Sequence, residues 1–191
     1  MNTLFAFTPE QKIKLLQLAR TTIAAKLSGK YAPPVPEDIP GLEQQGACFV
    51  TLHTALGELR GCIGNIAPVE TLGENIRHNA LNAAFNDPRF PKLSSLPELE
   101  TLVVEISVLT PMVPIDRAEA FEVGKHGIVM RLLGHSAVFL PQVAPEQGWD
   151  RKTTLEYLGL KAGLPREAWL DPRVKFMVFE AIVFSEKDFI D

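Results

Sequence analysis

Apolar positions recur at helical spacing near the N-terminus, where Ile13, Leu16, Leu18 and Ile23 follow Thr8-Pro9-Glu10-Gln11. Thr8 suits an N-cap, Pro9 a first turn, and Gln11 completes a capping box, so a helix is predicted up to Gly29. Pro33, Pro34, Pro36 and Pro40 then make residues 30–46 an extended loop. Residues 47–54 and 59–65 read as two strands of a hairpin around Gly57. Pro68 opens a predicted helix running to about Phe85, with Leu72, Ile76, Ala80 and Ala83 along one side. The stretch Asn86-Asp87-Pro88-Arg89-Phe90-Pro91 stops it. Residues 99–109 give the strongest strand, alternating Val103, Glu105 and Ser107 against Leu102, Val104, Ile106 and Val108. A second hairpin is predicted over 127–133 and 136–140 around Gly134-His135, a helix over 151–162 up to Gly163, and one strand over 174–184. Hairpin-joined strands with helices between them and no βαβ rhythm predict an α+β fold, with a mainly antiparallel sheet flanked by helices. Asp-Pro-Arg recurs at Asp87 and Asp171, but no longer repeat accompanies it.

Burial fixes an expected register for the first hairpin. Val50, Leu52, Leu59 and Ile63 all belong in a core, so they share a face, and a four-residue loop over 55–58 achieves this. Leu52 then opposes Gly61, Val50 opposes Ile63, Thr51 opposes Cys62, and His53 opposes Arg60. The polar face gathers Thr51, His53, Arg60 and Cys62, while Gly61 and Gly64 leave room for close backbone approach.

Two readings of this face are open. In one, Cys62 is a nucleophile or redox thiol whose proton leaves to His53 and whose thiolate Arg60 stabilises. In the other, Cys62 is a small buried hydrophobe and Arg60 pairs with a carboxylate such as Glu105.

Composition narrows the function classes. The 191 residues are 46% hydrophobic and 22% charged, enough for one domain or for one domain with a small lobe. A net charge of -4 without a lysine or arginine cluster argues against general DNA binding. No signal sequence or membrane-length apolar run is present, and Cys48 and Cys62 form no CxxC, so a cytoplasmic protein without disulfides is expected. The four histidines have no metal-ligand spacing, so no metal site is expected. No cofactor is expected either, since phosphate-loop, dinucleotide, serine-hydrolase and zinc-protease motifs are all absent.

Other residues carry both a chemical and a structural reading. His126, between glycines in Gly124-Lys125-His126-Gly127, serves as a base or ligand in one and as a turn residue in the other. Asp87 and Arg89 either close a helix stop by pairing, or aim a guanidinium at an anion. Glu105 and Ser107 share one face of the central strand.

The blocks LRGCIG (59–64), DPRFP (87–91), EISVL with Pro111 (105–111), GKHGI (124–128), LPQVAPEQGWD (140–150) and KAGLP (161–165) together resemble the AMMECR domain family. Its bacterial and archaeal members are often called protein A of the AmmeMemoRadiSam system. The resemblance covers nearly the whole chain. It implies one domain over residues 1–191, with a smaller β lobe over about 113–141 and a cleft bordered by the motif face. It marks Cys62, Arg60 and His126 as catalytic candidates, and Gly61, Gly64, Asp87, Arg89, Glu105 and Ser107 as substrate-binding ones. The expected function is an enzyme or enzyme subunit acting on a small anionic or nucleotide-like substrate, base modification among the options. The alternative is a non-catalytic binding module for a Memo-like or radical S-adenosylmethionine partner protein.

Overall fold

Helix α1 (Pro9–Leu27) starts as its capping box requires: the Gln11 N–H donates to Thr8 Oγ1, and the Gln11 side chain accepts from the Thr8 N–H. The structure, a computed structural model, describes residues 6–189. The described residues divide into two compact units, one within residues 6–109 and 182–189 and the other formed by residues 110–181.

In the first unit, strands β1 (Gln45–Thr54) and β2 (Leu59–Gly64) form the expected hairpin. A two-residue strand β3 (Glu70–Thr71) pairs with the start of β1, and helix α2 (Leu72–Phe85) follows. The expected start at Pro68 is therefore four residues too early. Glu70 and Thr71 are held in a ladder, and the first helical N–H groups, of Leu72 and Gly73, donate to the loop carbonyls of Gln44 and Leu42. A short helix α3 (Leu96–Glu100) precedes β4 (Leu102–Leu109). Sequence reading ran a strand through Leu99; the missed signal is Ser95, whose hydroxyl caps the Glu98 N–H with Pro97 in the first turn.

The strand order is β2-β1-β4 and then β9 (Ala181–Ser185), with β3 beside β1. β1 is antiparallel to β2, β3 and β4. One sheet face, carrying Cys48, Val50, Leu52, Val104, Ile106 and Val108, packs with buried residues of α1 and α2 into a single core. Where β9 ends, Glu186 continues its work on β4. Its carboxylate accepts the Val104 N–H (2.8 Å) and holds Arg20, whose guanidinium donates to the Leu102 carbonyl (2.6 Å).

The second unit holds a four-stranded sheet, β5 (Val113–Ile115), β8 (Lys175–Phe179), β6 (Gly127–Leu132) and β7 (His135–Phe139) in that spatial order, all antiparallel. Helices α4 (Val143–Glu146) and α5 (Arg151–Lys161) belong to it, and Leu155 and Leu158 pack with Ile128, Met130, Phe176 and Val178. The lobe expected over 113–141 lies inside this unit, which reaches further because β8 is the strand joining β5 to β6. The single strand expected over 174–184 is two strands in different sheets. It breaks at Glu180, whose backbone N–H and C=O are both bonded by Thr110. The α+β class with antiparallel pairing is as expected.

Candidate functional site

The hairpin follows the expected register through Phe49↔Gly64, Val50↔Ile63, Thr51↔Cys62 and Leu52↔Gly61, and then departs from it. His53 opposes Leu59, not Arg60. The Thr54 N–H donates to the Glu58 carbonyl (2.8 Å), so only Ala55, Leu56 and Gly57 span the turn, with Gly57 at φ +88°. A turn of odd length needs compensation, and the ladder supplies it with a bulge at Arg60.

The bulge decides where Arg60 goes. Its guanidinium donates to Glu98 on α3 (2.7 Å) and does not pair with Glu105. Burial pushes the Glu98 carboxyl up, but bonds from Ser94 and Arg60 outweigh it and hold the group below its usual range. Arg60 is 14% exposed along its side chain, its Nη2 bonds Glu98 and its buried Nη1 has no hydrogen-bond partner among the described residues. Its charge is therefore paired with Glu98 and not with the Cys62 thiol, contrary to what the sequence suggested.

On the face of the sheet away from the core, β1 stands between β2 and β4. Cys62, Thr51 and Glu105 make one cross-strand row, and Gly64, Phe49 and Ser107 make the next. The Thr51 hydroxyl donates to the Cys62 sulfur (3.2 Å). His53 Nε2 lies 3.9 Å from Glu105 Oε1, and this nearby carboxylate pushes the imidazole pKa up. Burial raises the Cys62 thiol, and the Thr51 bond and the Arg89 charge lower it only in part. Glu105, Ser107 and Cys62 thus do share one face, although Ser107 is only 2% exposed.

The glycines and the Asp-Pro-Arg turn serve the backbone. A Cβ on Gly61 would stand 2.2 Å from the Ala83 carbonyl oxygen, because the last turn of α2 rests against β2. One on Gly64 would stand 2.3 Å from the Phe49 ring. The close approach permitted by both glycines is taken up by the protein itself. Asp87, 1% exposed along its side chain, accepts the Cys62 N–H (2.9 Å), the Arg89 N–H (3.1 Å) and two guanidinium bonds from Arg89 (2.7 and 3.0 Å). Arg89 returns to β2 by donating to the Cys62 carbonyl (3.1 Å). These bonds hold the Asp87 carboxyl far below its ordinary range, the Arg89 pair contributing most. β2 is an edge strand, and this pair stands where a neighbouring strand's backbone would.

His126 belongs to the second unit. It is 9% exposed, its Nδ1 accepts the Glu122 N–H (3.1 Å), and its own N–H donates to the Glu122 carbonyl (3.0 Å). These contacts are those of a turn residue.

Sequence reading missed a buried amide cluster. Asn75 and Asn79, one helical turn apart on α2, bind the Cys48 N–H and carbonyl of β1 and also meet Asn65. The available signal was two asparagines at i and i+4 among the apolar positions of a helix. Cys48 itself is fully buried, its thiol pushed up to about 12. Among the described residues no group of three or more His, Cys, Asp or Glu side chains is arranged to hold a metal ion, and no helix is long and apolar enough to cross a membrane.

Fold and site together define an α+β protein with two antiparallel sheets, whose central motif is clamped between a helix and an Asp-Pro-Arg turn and carries a thiol beside an imidazole–carboxylate pair. The chain belongs to the AMMECR1 family, whose model matches residues 16–184. It is 39% identical over 181 residues to Protein NEQ441 of Nanoarchaeum equitans, across 91% of this chain and 99% of that protein. With Protein MK0488 of Methanopyrus kandleri it shares 41% identity over 189 residues, 95% of this chain and 91% of that one. The crystal structure of the uncharacterized protein PH0010 from Pyrococcus horikoshii matches with a TM-score of 0.85 at 36% identity, covering 96% of this chain and 95% of that chain.

Proposed function

We propose that this protein is a recognition module, in which the polar face formed by the row Cys62, Thr51 and Glu105 together with His53 contacts a partner protein, with Cys62 acting as a neutral thiol. The observation that carries this reading is that both motif arginines are already paired, Arg60 with Glu98 and Arg89 with Asp87, while burial raises the thiol. A thiol nucleophile needs the opposite setting, an exposed sulfur beside an unspent cation. The resemblance to protein A of the AmmeMemoRadiSam system supports a Memo-like or radical S-adenosylmethionine protein as the partner.

A second reading, an enzyme acting on a small anionic or nucleotide-like substrate, is favoured by one observation. His53 sits at ion-pair distance from Glu105 on the face that carries Cys62, and its Nδ1 is buried with no partner among the described residues. The rate of Cys62 alkylation against pH separates the two, and fully buried Cys48 serves as a slow internal control. Recognition expects an inflection at or above about 8.5. An inflection below about 7 would establish an activated thiol and reject the recognition reading. Capture of the Memo-like protein from the same cell is expected to survive Cys62→Ser and to be lost in Glu105→Gln.

A further inference from the structure

Every arginine of the first unit pairs with a carboxylate, whereas among the described residues Arg117, Arg131 and Arg151 of the second unit form no ion pair. β6 is flanked there by β7 and β8, and its Arg131 directly opposes Ser136 on one side and Lys175 on the other. Directly opposed residues on neighbouring strands bring their Cβ atoms to about 5 Å, and like charges so placed repel. Arg131 and Lys175 are both exposed, and among the described residues neither side chain has an ion-pair or hydrogen-bond partner. With Arg173, Ser136 and the Leu133–Gly134 turn they line a cavity of about 350 Å³ into which no carboxylate projects as lining. Arg173 is neutralised by Asp171 through a two-bond contact (2.7 and 3.0 Å), so the surplus charge belongs to Arg131 and Lys175.

We infer that this cavity binds a phosphate-type oxyanion carried by a small molecule. An oxyanion between the two opposed side chains turns their repulsion into two charge-assisted contacts, and a guanidinium presents a fork that matches its oxygens. Ser136 adds a hydroxyl from the third strand of the same row. The cavity's volume is at the low end for small-molecule sites, which run from about 300 Å³ upward. A small ligand is favoured over a nucleic acid backbone because the chain as a whole carries a net charge of -4, and Arg131 and Lys175 line the same concavity. The site is separate from the polar row of the first unit, and its test is independent of the function proposed for that row.

The test is calorimetric titration of the full chain with pyrophosphate and with inorganic phosphate, at constant ionic strength in chloride. Saturable pyrophosphate binding is expected, weakened at least tenfold in Arg131→Gln and in Lys175→Gln, and changed less than twofold in Arg117→Gln, another exposed arginine of this unit. The Tm of ligand-free Arg131→Gln is expected to equal or exceed that of the parent chain, since the substitution relieves a like-charge pair. Absence of saturable binding, an equal loss in Arg117→Gln, or binding of a single-stranded RNA without pyrophosphate binding would each overturn the inference. So would a lowered Tm in ligand-free Arg131→Gln.

Discussion

Asp87→Ala removes one carboxylate that accepts four N–H bonds and closes the edge of β2. The Arg89 guanidinium, 55% exposed along its side chain, returns to water, so its lost pair is worth only about 0.5 kcal/mol. The Cys62 N–H loses a charged acceptor at a side chain that is 1% exposed, a change of about 2 kcal/mol. Arg89 also ceases to be held against the Cys62 carbonyl, which adds roughly 0.5 kcal/mol. The expected loss is therefore about 3 kcal/mol, which corresponds to roughly a hundredfold in an equilibrium constant. Hydrogen exchange at the Cys62 amide reads this locally, and its protection should fall by about that factor, while urea unfolding reports the loss for the first unit. The pH dependence has a definite sign. The folded carboxyl titrates far below its unfolded value of about 3.9, so its contribution is complete above pH 4 and disappears as pH falls toward the folded value. Parent and variant should differ fully at pH 7 and converge progressively below pH 4. A loss under about 0.5 kcal/mol at pH 7, the level of an ordinary surface pair, together with unchanged Cys62 protection would refute the clamp.

Gly61→Ala places a methyl 2.2 Å from a helix carbonyl oxygen and is expected to cost about 3 kcal/mol by urea unfolding, whereas Gly57→Ala, with open space but φ +88°, costs about 1 kcal/mol. Equal effects at the two positions would show that backbone strain, not the seat of α2, governs Gly61. Glu98→Gln leaves the Arg60 guanidinium, 14% exposed, without a charged partner, and a loss of about 2 kcal/mol is expected, with Arg60→Met less damaging than Glu98→Gln. The His53 imidazole is raised by Glu105, with burial opposing in part, so its contribution is complete below the unfolded pKa of about 6.5 and lost as pH rises through the higher folded value. NMR titration of the ring should give a pKa above 6.5 that drops in Glu105→Gln, and a value below 6.5 would contradict the pair.

What the sequence revealed and what it concealed divide by range. The capping box of α1, the Gly57 turn and the alternation of β1 and β4 are written in neighbouring residues, and all three formed. Both Asp-Pro-Arg stretches also formed the same turn. In each, the aspartate accepts the N–H and guanidinium of the arginine two residues on, at 3.1, 3.0 and 2.7 Å for Asp87 and 2.8, 3.0 and 2.7 Å for Asp171. Local chemistry dictates the turn, but nothing local says that the first copy docks onto Cys62 and the second does not. Arg60 shows the same limit. Its distance from Cys62 along the strand was legible, but the odd turn that produces the bulge, and the glutamate 38 residues later that claims the guanidinium, were not. The division of residues 174–184 between two sheets was hidden for a related reason. Alternation continues through Glu180, and only the bonds to Thr110, 70 residues earlier, mark the break.

A single device explains why several chemistry-bearing residues of the first unit are bonded to the backbone of their own sheet. A strand without a neighbour exposes N–H and C=O groups on one side, and they need both an acceptor and a donor. An ion pair supplies both at once. On β2 the carboxylate of Asp87 takes the Cys62 N–H and the Arg89 guanidinium gives to the Cys62 carbonyl. On β4, past the end of β9, the Glu186 carboxylate takes the Val104 N–H and Arg20 gives to the Leu102 carbonyl. The two pairs share no sequence similarity, coming from a three-residue turn in one case and from residues 166 apart in the other, yet they meet the same requirement. A carboxylate–guanidinium pair beside a strand is therefore the way this fold closes a ladder at both places, and most of the pair's bonding is spent on the strand and on itself. Residues with unspent capacity are where recognition chemistry belongs. In the first unit that criterion points to His53 Nδ1 and equally to Arg60 Nη1, both buried without a hydrogen-bond partner among the described residues; in the second it selects Arg131 and Lys175 over the paired Arg173.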